Sequence, residues 1–265
     1  MSSEISNRCL SVVVPAYNEA ATIERVVEKL LQLPELLEII IVDDCSTDKT
    51  AEITQRLANQ NSSIKVARHQ KNSGKTEALK TGFALTTGDI VIVQDADLEY
   101  DPRDIPAVIR PIIEGSADVV YGSRFLVRRA TRVLYFYHYL ANKFLTFTSN
   151  LFTNLNMTDV ETGYKAFRGE IIRNMIITSR GFGFEIEVTA KVAKLKCAIY
   201  EVPISYYGRT YEEGKKIGVM DGVEAFWLVF RFNLFCGLSA SFRQLPLQQA
   251  RRESFPSAEL EQISK

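Results

Sequence analysis

The chain is poor in the residues on which thiolate, disulfide or histidine-relay chemistry depends. Its 265 residues hold two histidines, His69 and His138, and four cysteines, Cys9, Cys45, Cys197 and Cys236. Cysteines so widely spaced, with no Cys-x-x-Cys pair, exclude a structural zinc site and point to reduced thiols in a cytosolic setting. Two separated histidines read as surface or helix residues rather than as metal ligands or a relay. Net charge is also absent: 32 Lys and Arg balance 32 Asp and Glu, which argues against a dedicated nucleic-acid binder. No stretch reaches the roughly 18 uncharged apolar residues of a membrane span. Met1 to Arg8 is polar, so no secretory signal is expected.

Three familiar motifs are missing as well. Gly74-Lys75-Thr76 has the end of a P-loop, but His69 occupies the place of its first glycine and no strand runs directly into it. The turn after the first apolar run is Pro15-Ala16-Tyr17-Asn18-Glu19 rather than a Gly-x-Gly-x-x-Gly, which disfavours a dinucleotide-dependent dehydrogenase. A Gly-x-Ser-x-Gly elbow is lacking, which weakens a hydrolase reading.

What is present is alternation. Apolar runs at Leu10 to Val14, Glu38 to Val42, Ile64 to Ala67, Asp89 to Gln94 and Asp118 to Tyr121 are separated by stretches of helical period, including Lys75 to Leu85. Strands alternating with single helices predict an α/β fold with a mostly parallel central sheet flanked by helices. Loops at the carboxyl ends of such strands gather into one crevice, where open α/β sheets bind ligands. The second half predicts a strand over Thr162 to Phe167, a helix from Glu185 to Leu195, a strand over Ala198 to Val202 and an apolar helix over Asp221 to Phe242.

One of these loops carries three carboxylates. Ile90 to Val93 reads as a central strand, and Asp95, Asp97 and Glu99 follow it; on an extended chain the three project to one side. Like charges held close need a cation between them, and carboxylate oxygens select Mg²⁺ or Mn²⁺ over zinc. The competing reading is a solvated acidic turn. Arg209 and Lys215 form a basic loop suited to a diphosphate leaving group, or a plain surface loop. Asp159 could act as a general base, orient an acceptor or cap a turn. Val133 to Leu155 predicts a helix with an aromatic face too wide for one buried stripe, preceded by Arg128, Arg129 and Arg132. That pattern suits a membrane surface with anionic lipids, and competes with ordinary core or dimer packing.

Together the motifs resemble the family 2 glycosyltransferases with a GT-A fold, and among them the polyprenyl-phosphate hexose synthases. Val14 to Glu19, Val42 to Asp48, Asn72 to Lys75, Asp95 to Glu99, Gly122 to Phe125, Thr158-Asp159 and the Arg209 to Lys215 spacing occur in that family's order. The resemblance implies a catalytic domain over 1–216 that includes the interfacial helix near 130–156. Beyond it the residues predict an apolar helix over 217–243, at a membrane surface or packed, where many relatives carry transmembrane helices, and a disordered polar tail over 244–265. It implies that Pro15, Ala16, Tyr17, Glu19, Val42 and Asp44 hold the nucleoside, with Gly74 and Lys75 beside them. Asp95, Ala96 and Asp97 match the family's Asp-x-Asp signature, with Asp97 the principal ligand of Mg²⁺ or Mn²⁺, Asp95 assisting, and Glu99 standing where relatives commonly carry Gln. Arg124, Arg209 and Lys215 match cations of the phosphate and acceptor site, and Asp159 completes it.

The implied activity is inverting, metal-dependent transfer of a hexose from a nucleotide-diphospho-sugar of the GDP-mannose or UDP-glucose type. The implied acceptor is dolichyl or undecaprenyl phosphate, and the place is the cytoplasmic face of a membrane, with peripheral or monotopic attachment and room for a membrane-protein partner or a homo-oligomer. Transfer to a saccharide or protein acceptor, or a silent nucleotide-sugar-binding role at the membrane, are the alternatives.

Overall fold

A computed structural model of the protein describes residues 8–126, 135–181, 183–208 and 219–246. In its first half, strands β1 (Leu10–Ala16), β2 (Leu36–Asp43), β3 (Ile64–Arg68) and β4 (Ile90–Val93) alternate with helices α1 (Ile23–Leu30), α2 (Thr50–Gln60) and α3 (Lys75–Leu85). Helix α4 (Ile105–Ile113) then leads to β5 (Val119–Ser123), and α5 (Phe136–Thr153) leads to β6 (Lys165–Arg168). Short α6 (Gly169–Asn174), α7 (Phe184–Leu195), β7 (Ile199–Pro203) and α8 (Val219–Leu234) complete the described chain.

The seven strands form one sheet in the order β3-β2-β1-β4-β6-β5-β7. Because β1, β2 and β4 are covered on both faces, they carry unbroken apolar runs rather than alternating ones, with buried Ser11 and Glu38 hydrogen-bonded to each other at 2.7 Å. Val12, Val14, Ile39, Ile41, Ile90 and Ile92 pack on one side with α1 and α4. Val13, Ile40, Val42, Val91 and Val93 pack on the other with α3 and α7.

The sheet is parallel except at β6, which runs antiparallel to both β4 and β5. The sequence predicts that strand three residues too early, because Thr162 to Tyr164 has strand-forming residues. In the folded chain these residues make a buried turn instead. Ser123, at the end of β5, hydrogen-bonds Thr158 at 2.6 Å, so the chain comes back from α5 to the edge it left and must descend. That turn is thereby delivered to the crevice at the carboxyl ends of β1, β2 and β4.

The last helix is shorter than the predicted Asp221 to Phe242. It ends at Leu234, where the Lys194 ammonium takes the carbonyls of Phe232 and Cys236, and Phe242 forms a bridge with Met175. Ala225, Leu228, Val229 and Phe232 of α8 pack on Leu145, Val160, Ile186 and Ala190, so one face of this helix is core. Arg128, Arg129 and Arg132, and the tail beyond 246, lie outside the described residues.

Candidate active site

Each side of the crevice is built by backbone turns whose amides are satisfied by short polar side chains. After β1 the chain turns through Asn18, which has φ 54, and its side chain accepts from Thr47 N at 2.8 Å. Ser46, Thr50 and Asp48 take the amides of Asn18, Glu19 and Ala20. The 15–20 loop is thus stitched to the loop after β2. Tyr17 is exposed at its tip, whereas the side chains of Ala16 and Val42 are core, so these two can offer a ligand only backbone.

Asp44 is more committed than the sequence suggests. Its carboxylate accepts from His69 Nδ1 at 2.6 Å, Ser73 N at 3.0 Å and Gly74 N at 2.7 Å. It therefore shapes the loop leading into α3. His69 is not a loose surface residue, since Thr81 Oγ1 lies 2.9 Å from its other ring nitrogen. Gly74 caps α3 with φ 90, a left-handed conformation that a side chain would strain.

The loop after β4 departs from the extended arrangement expected of Asp95, Asp97 and Glu99. Leu98 has φ 63 and Asp97 Oδ1 accepts from Glu99 N at 3.1 Å, so the three carboxylates sit on a tight turn. Asp95 pairs with Lys75 Nζ at 2.8 Å, and the same ammonium lies 3.4 Å from Glu185 Oε1. Burial works against the charge of Lys75, but Asp95 and Glu185 outweigh it and raise its pKa. Glu99 Oε2 accepts from Tyr206 at 2.8 Å. Among the described residues no three His, Cys, Asp or Glu side chains converge as a metal cage. The donor set still fits a hard divalent ion, which typically takes one or two carboxylates and completes its shell from substrate phosphates and water. Asp95 already carries a cation, the Lys75 ammonium, on its carboxylate.

Arg124 and Asp159, expected as separate acceptor-site groups, bind each other. Arg124 Nε meets Asp159 Oδ2 at 2.7 Å, Nη2 meets Oδ1 at 2.7 Å, and the Arg124 amide adds a third bond at 3.1 Å. Asp159 is wholly buried and Arg124 nearly so. Burial opposes the guanidinium charge, and Asp159 more than offsets it, raising the Arg124 pKa. Both oxygens of the Asp159 carboxylate are thus engaged by Arg124. Arg209 and Lys215 lie outside the described residues.

Sequence reasoning missed the residues that join these pieces. Gln94 accepts from the Tyr164 hydroxyl and donates to the Asp95 carbonyl at 2.9 Å, fixing the start of the acidic turn. Tyr100 stacks on Tyr164 with centroids 4.8 Å apart, and its hydroxyl takes Gly163 N at 2.9 Å. A Cβ on Gly163 would lie 2.7 Å from Asp95 Oδ2. Glu161 and Lys165 flank this turn in the chain. Burial, then Glu185, push the Glu161 carboxyl up to about 7, while burial pulls Lys165 down to about 8. The signal available was the run Glu161-Thr162-Gly163-Tyr164-Lys165 at a turn, but Glu185 and Tyr206 are brought in only by the fold.

Comparison with known proteins agrees with this architecture. The family described as Glycosyl transferase family 2 matches residues 11–176. A dolichol-phosphate mannosyltransferase of Pyrococcus furiosus is 31% identical over 213 residues, covering 79% of this chain and 59% of that protein. The chain thus spans little more than half of that relative. An undecaprenyl-phosphate mannosyltransferase of Micrococcus luteus is 29% identical over 237 residues, 84% of this chain and 93% of the relative. Among solved structures, glucosyl-3-phosphoglycerate synthase of Mycobacterium tuberculosis, in complex with Mn²⁺, UDP and phosphoglyceric acid, superposes with a TM-score of 0.65 at 24% identity, over 87% of this chain and 79% of that one. A complex of the same enzyme with Mg²⁺ and UDP gives a TM-score of 0.65 at 25% identity over 85% and 79% of the two chains. This last likeness is one of fold.

Proposed function

The chain belongs to glycosyl transferase family 2, and on that premise we propose that it transfers a hexose from a nucleotide-diphospho-sugar to a polyprenyl phosphate at a membrane surface. The observation that carries the acceptor is the polarity of α5. Tyr137, Leu140, Phe144, Phe147 and Leu151 are all exposed, and at 100° per residue they form one narrow stripe. The same helix buries Asn142, Thr146 and Ser149. A helix that hides its polar side and bares its aromatic side is suited to lie in a lipid interface. It also borders the site: Asn142 accepts from Arg124 at 3.4 Å and Lys143 donates to the Thr158 carbonyl at 3.3 Å. No helix among the described residues is long and apolar enough to cross a membrane.

In this reading the loops around Pro15, Tyr17, Glu19 and Gly74 cradle the nucleoside, with Asp44 bracing the Gly74 loop. Asp97 and Asp95, with Glu99 beside them, would hold Mg²⁺ or Mn²⁺, which when bound neutralises the diphosphate and aids its departure. Lys75, Arg209 and Lys215 share the diphosphate charge. Arg124, fixed by Asp159, offers its guanidinium to the acceptor phosphate. An acceptor oxygen attacks the anomeric carbon opposite the leaving diphosphate; a carbon–oxygen bond forms as the sugar–diphosphate bond breaks, giving inversion and a β-linked product. A phosphate monoester is anionic at neutral pH, so no strong base is required.

The test incubates the protein with UDP- and GDP-sugars, Mn²⁺ and polyprenyl phosphate in vesicles, followed by extraction into organic solvent. Label in the organic phase supports lipid-phosphate transfer. Label transferred only to water-soluble material points to a saccharide or protein acceptor, and no transfer from any donor points to a silent nucleotide-sugar binder.

A further inference from the structure

Among the described residues, Tyr206 touches both the acidic turn and Arg124. Its hydroxyl donates to Glu99 Oε2 at 2.8 Å, and its neighbour's amide, Tyr207 N, donates to the Glu99 carbonyl at 2.8 Å. Its ring lies 5.3 Å from that of Tyr100, with the two residues in an isolated β-bridge, and the Arg124 guanidinium sits over it at 5.2 Å. Ser205 N is tied to Asp104 Oδ2 at 2.6 Å, so the segment is held in register against the 99–104 loop from both sides.

We propose that Tyr206 is a positioning residue that couples the donor-diphosphate turn to Arg124: its hydroxyl fixes the orientation of the Glu99 carboxylate, and its ring fixes the guanidinium that meets the acceptor. This rests on the transferase reading of the same site. A carboxylate near a metal is oriented by its own hydrogen bonds, and losing such a partner typically weakens metal binding by about 10–100-fold. The ring contact acts on a different partner, so the two halves are separable by substitution. Tyr206→Phe keeps the ring and removes the bond to Glu99; Tyr206→Leu removes both.

The decisive measurement is Mn²⁺ affinity by electron paramagnetic resonance, with UDP and with GDP in parallel, alongside the thermal midpoint. Tyr206→Phe is expected to weaken Mn²⁺ binding about tenfold without moving the midpoint. The same change made on a Glu99→Ala background is expected to do nothing further. Tyr206→Leu should add a rise in the acceptor KM that Tyr206→Phe lacks. Unchanged Mn²⁺ affinity in Tyr206→Phe, or an equal loss without Glu99, overturns the coupling, as does an acceptor KM that is the same in both variants. A wild-type protein that binds no Mn²⁺ with either nucleotide overturns the metal-dependent reading and this inference together.

Discussion

The Arg124–Asp159 pair makes the sharpest demand on the structure. Asp159→Ala removes two charged contacts of 2.7 Å and the acceptor for the Arg124 amide, and it leaves a guanidinium whose side chain is 7% exposed. Breaking a buried pair from one side typically costs about 3–5 kcal/mol, because the surviving charge stays desolvated. The Asn142 oxygen at 3.4 Å and the rings of Phe125 and Tyr206 can compensate little of this. Arg124→Met should cost a similar amount, since Asp159 then keeps, among the described residues, the backbone amide at 124 as its donor. The double variant should be far less damaging than the sum, for it removes both desolvated charges. Urea unfolding of the four proteins closes the double-mutant cycle. A cost below about 1 kcal/mol for Asp159→Ala, or a coupling near zero, would mean that the pair is solvated. Asp159 would then return as a candidate base.

Gly163→Ala should push the acidic turn aside, because its Cβ would meet Asp95 Oδ2 at 2.7 Å and Tyr100 Cε2 at 3.0 Å. We expect nucleoside-diphosphate affinity in the presence of Mn²⁺ to fall by at least about tenfold, measured by calorimetry; wild-type affinity would contradict the contact. Glu161 has its folded pKa pushed up to about 7 from 4.5, so the native state holds this proton more tightly than the unfolded chain. Its contribution is full below the ordinary carboxylate range and is lost as pH rises through the raised folded pKa. Glu161→Gln should therefore gain stability over wild type at pH 8 and not at pH 4, as read by denaturant midpoints. Replacing exposed Phe147 and Leu151 by Asp should weaken sedimentation with anionic vesicles while leaving the thermal midpoint within a few degrees. Equal sedimentation would remove α5 from the interface.

How much of this was legible in the residues depends on how local the cause is. The helix near Lys75 to Leu85 is legible because the glycine before it is a local signal. The doubly covered strands were read from their unbroken Val and Ile runs. The antiparallel β6 was not, since strand direction is set by where a returning chain meets the sheet. The acidic turn was seen as a cluster of carboxylates, but its shape depends on a left-handed Leu98, which nothing in its side chain announces.

The sequence by itself determined the α/β class, the crevice at the strand ends and the residue types gathered there, because hydrophobic period and turn chemistry act over a few neighbours. Only the tertiary structure decided which of those charges face one another. It gives Asp95 to Lys75, Asp159 to Arg124, Asp44 to the Gly74 loop and Glu99 to Tyr206. These partners are distant in the chain, and a carboxylate carries no mark of its partner until strand order and burial remove the water that would otherwise solvate both.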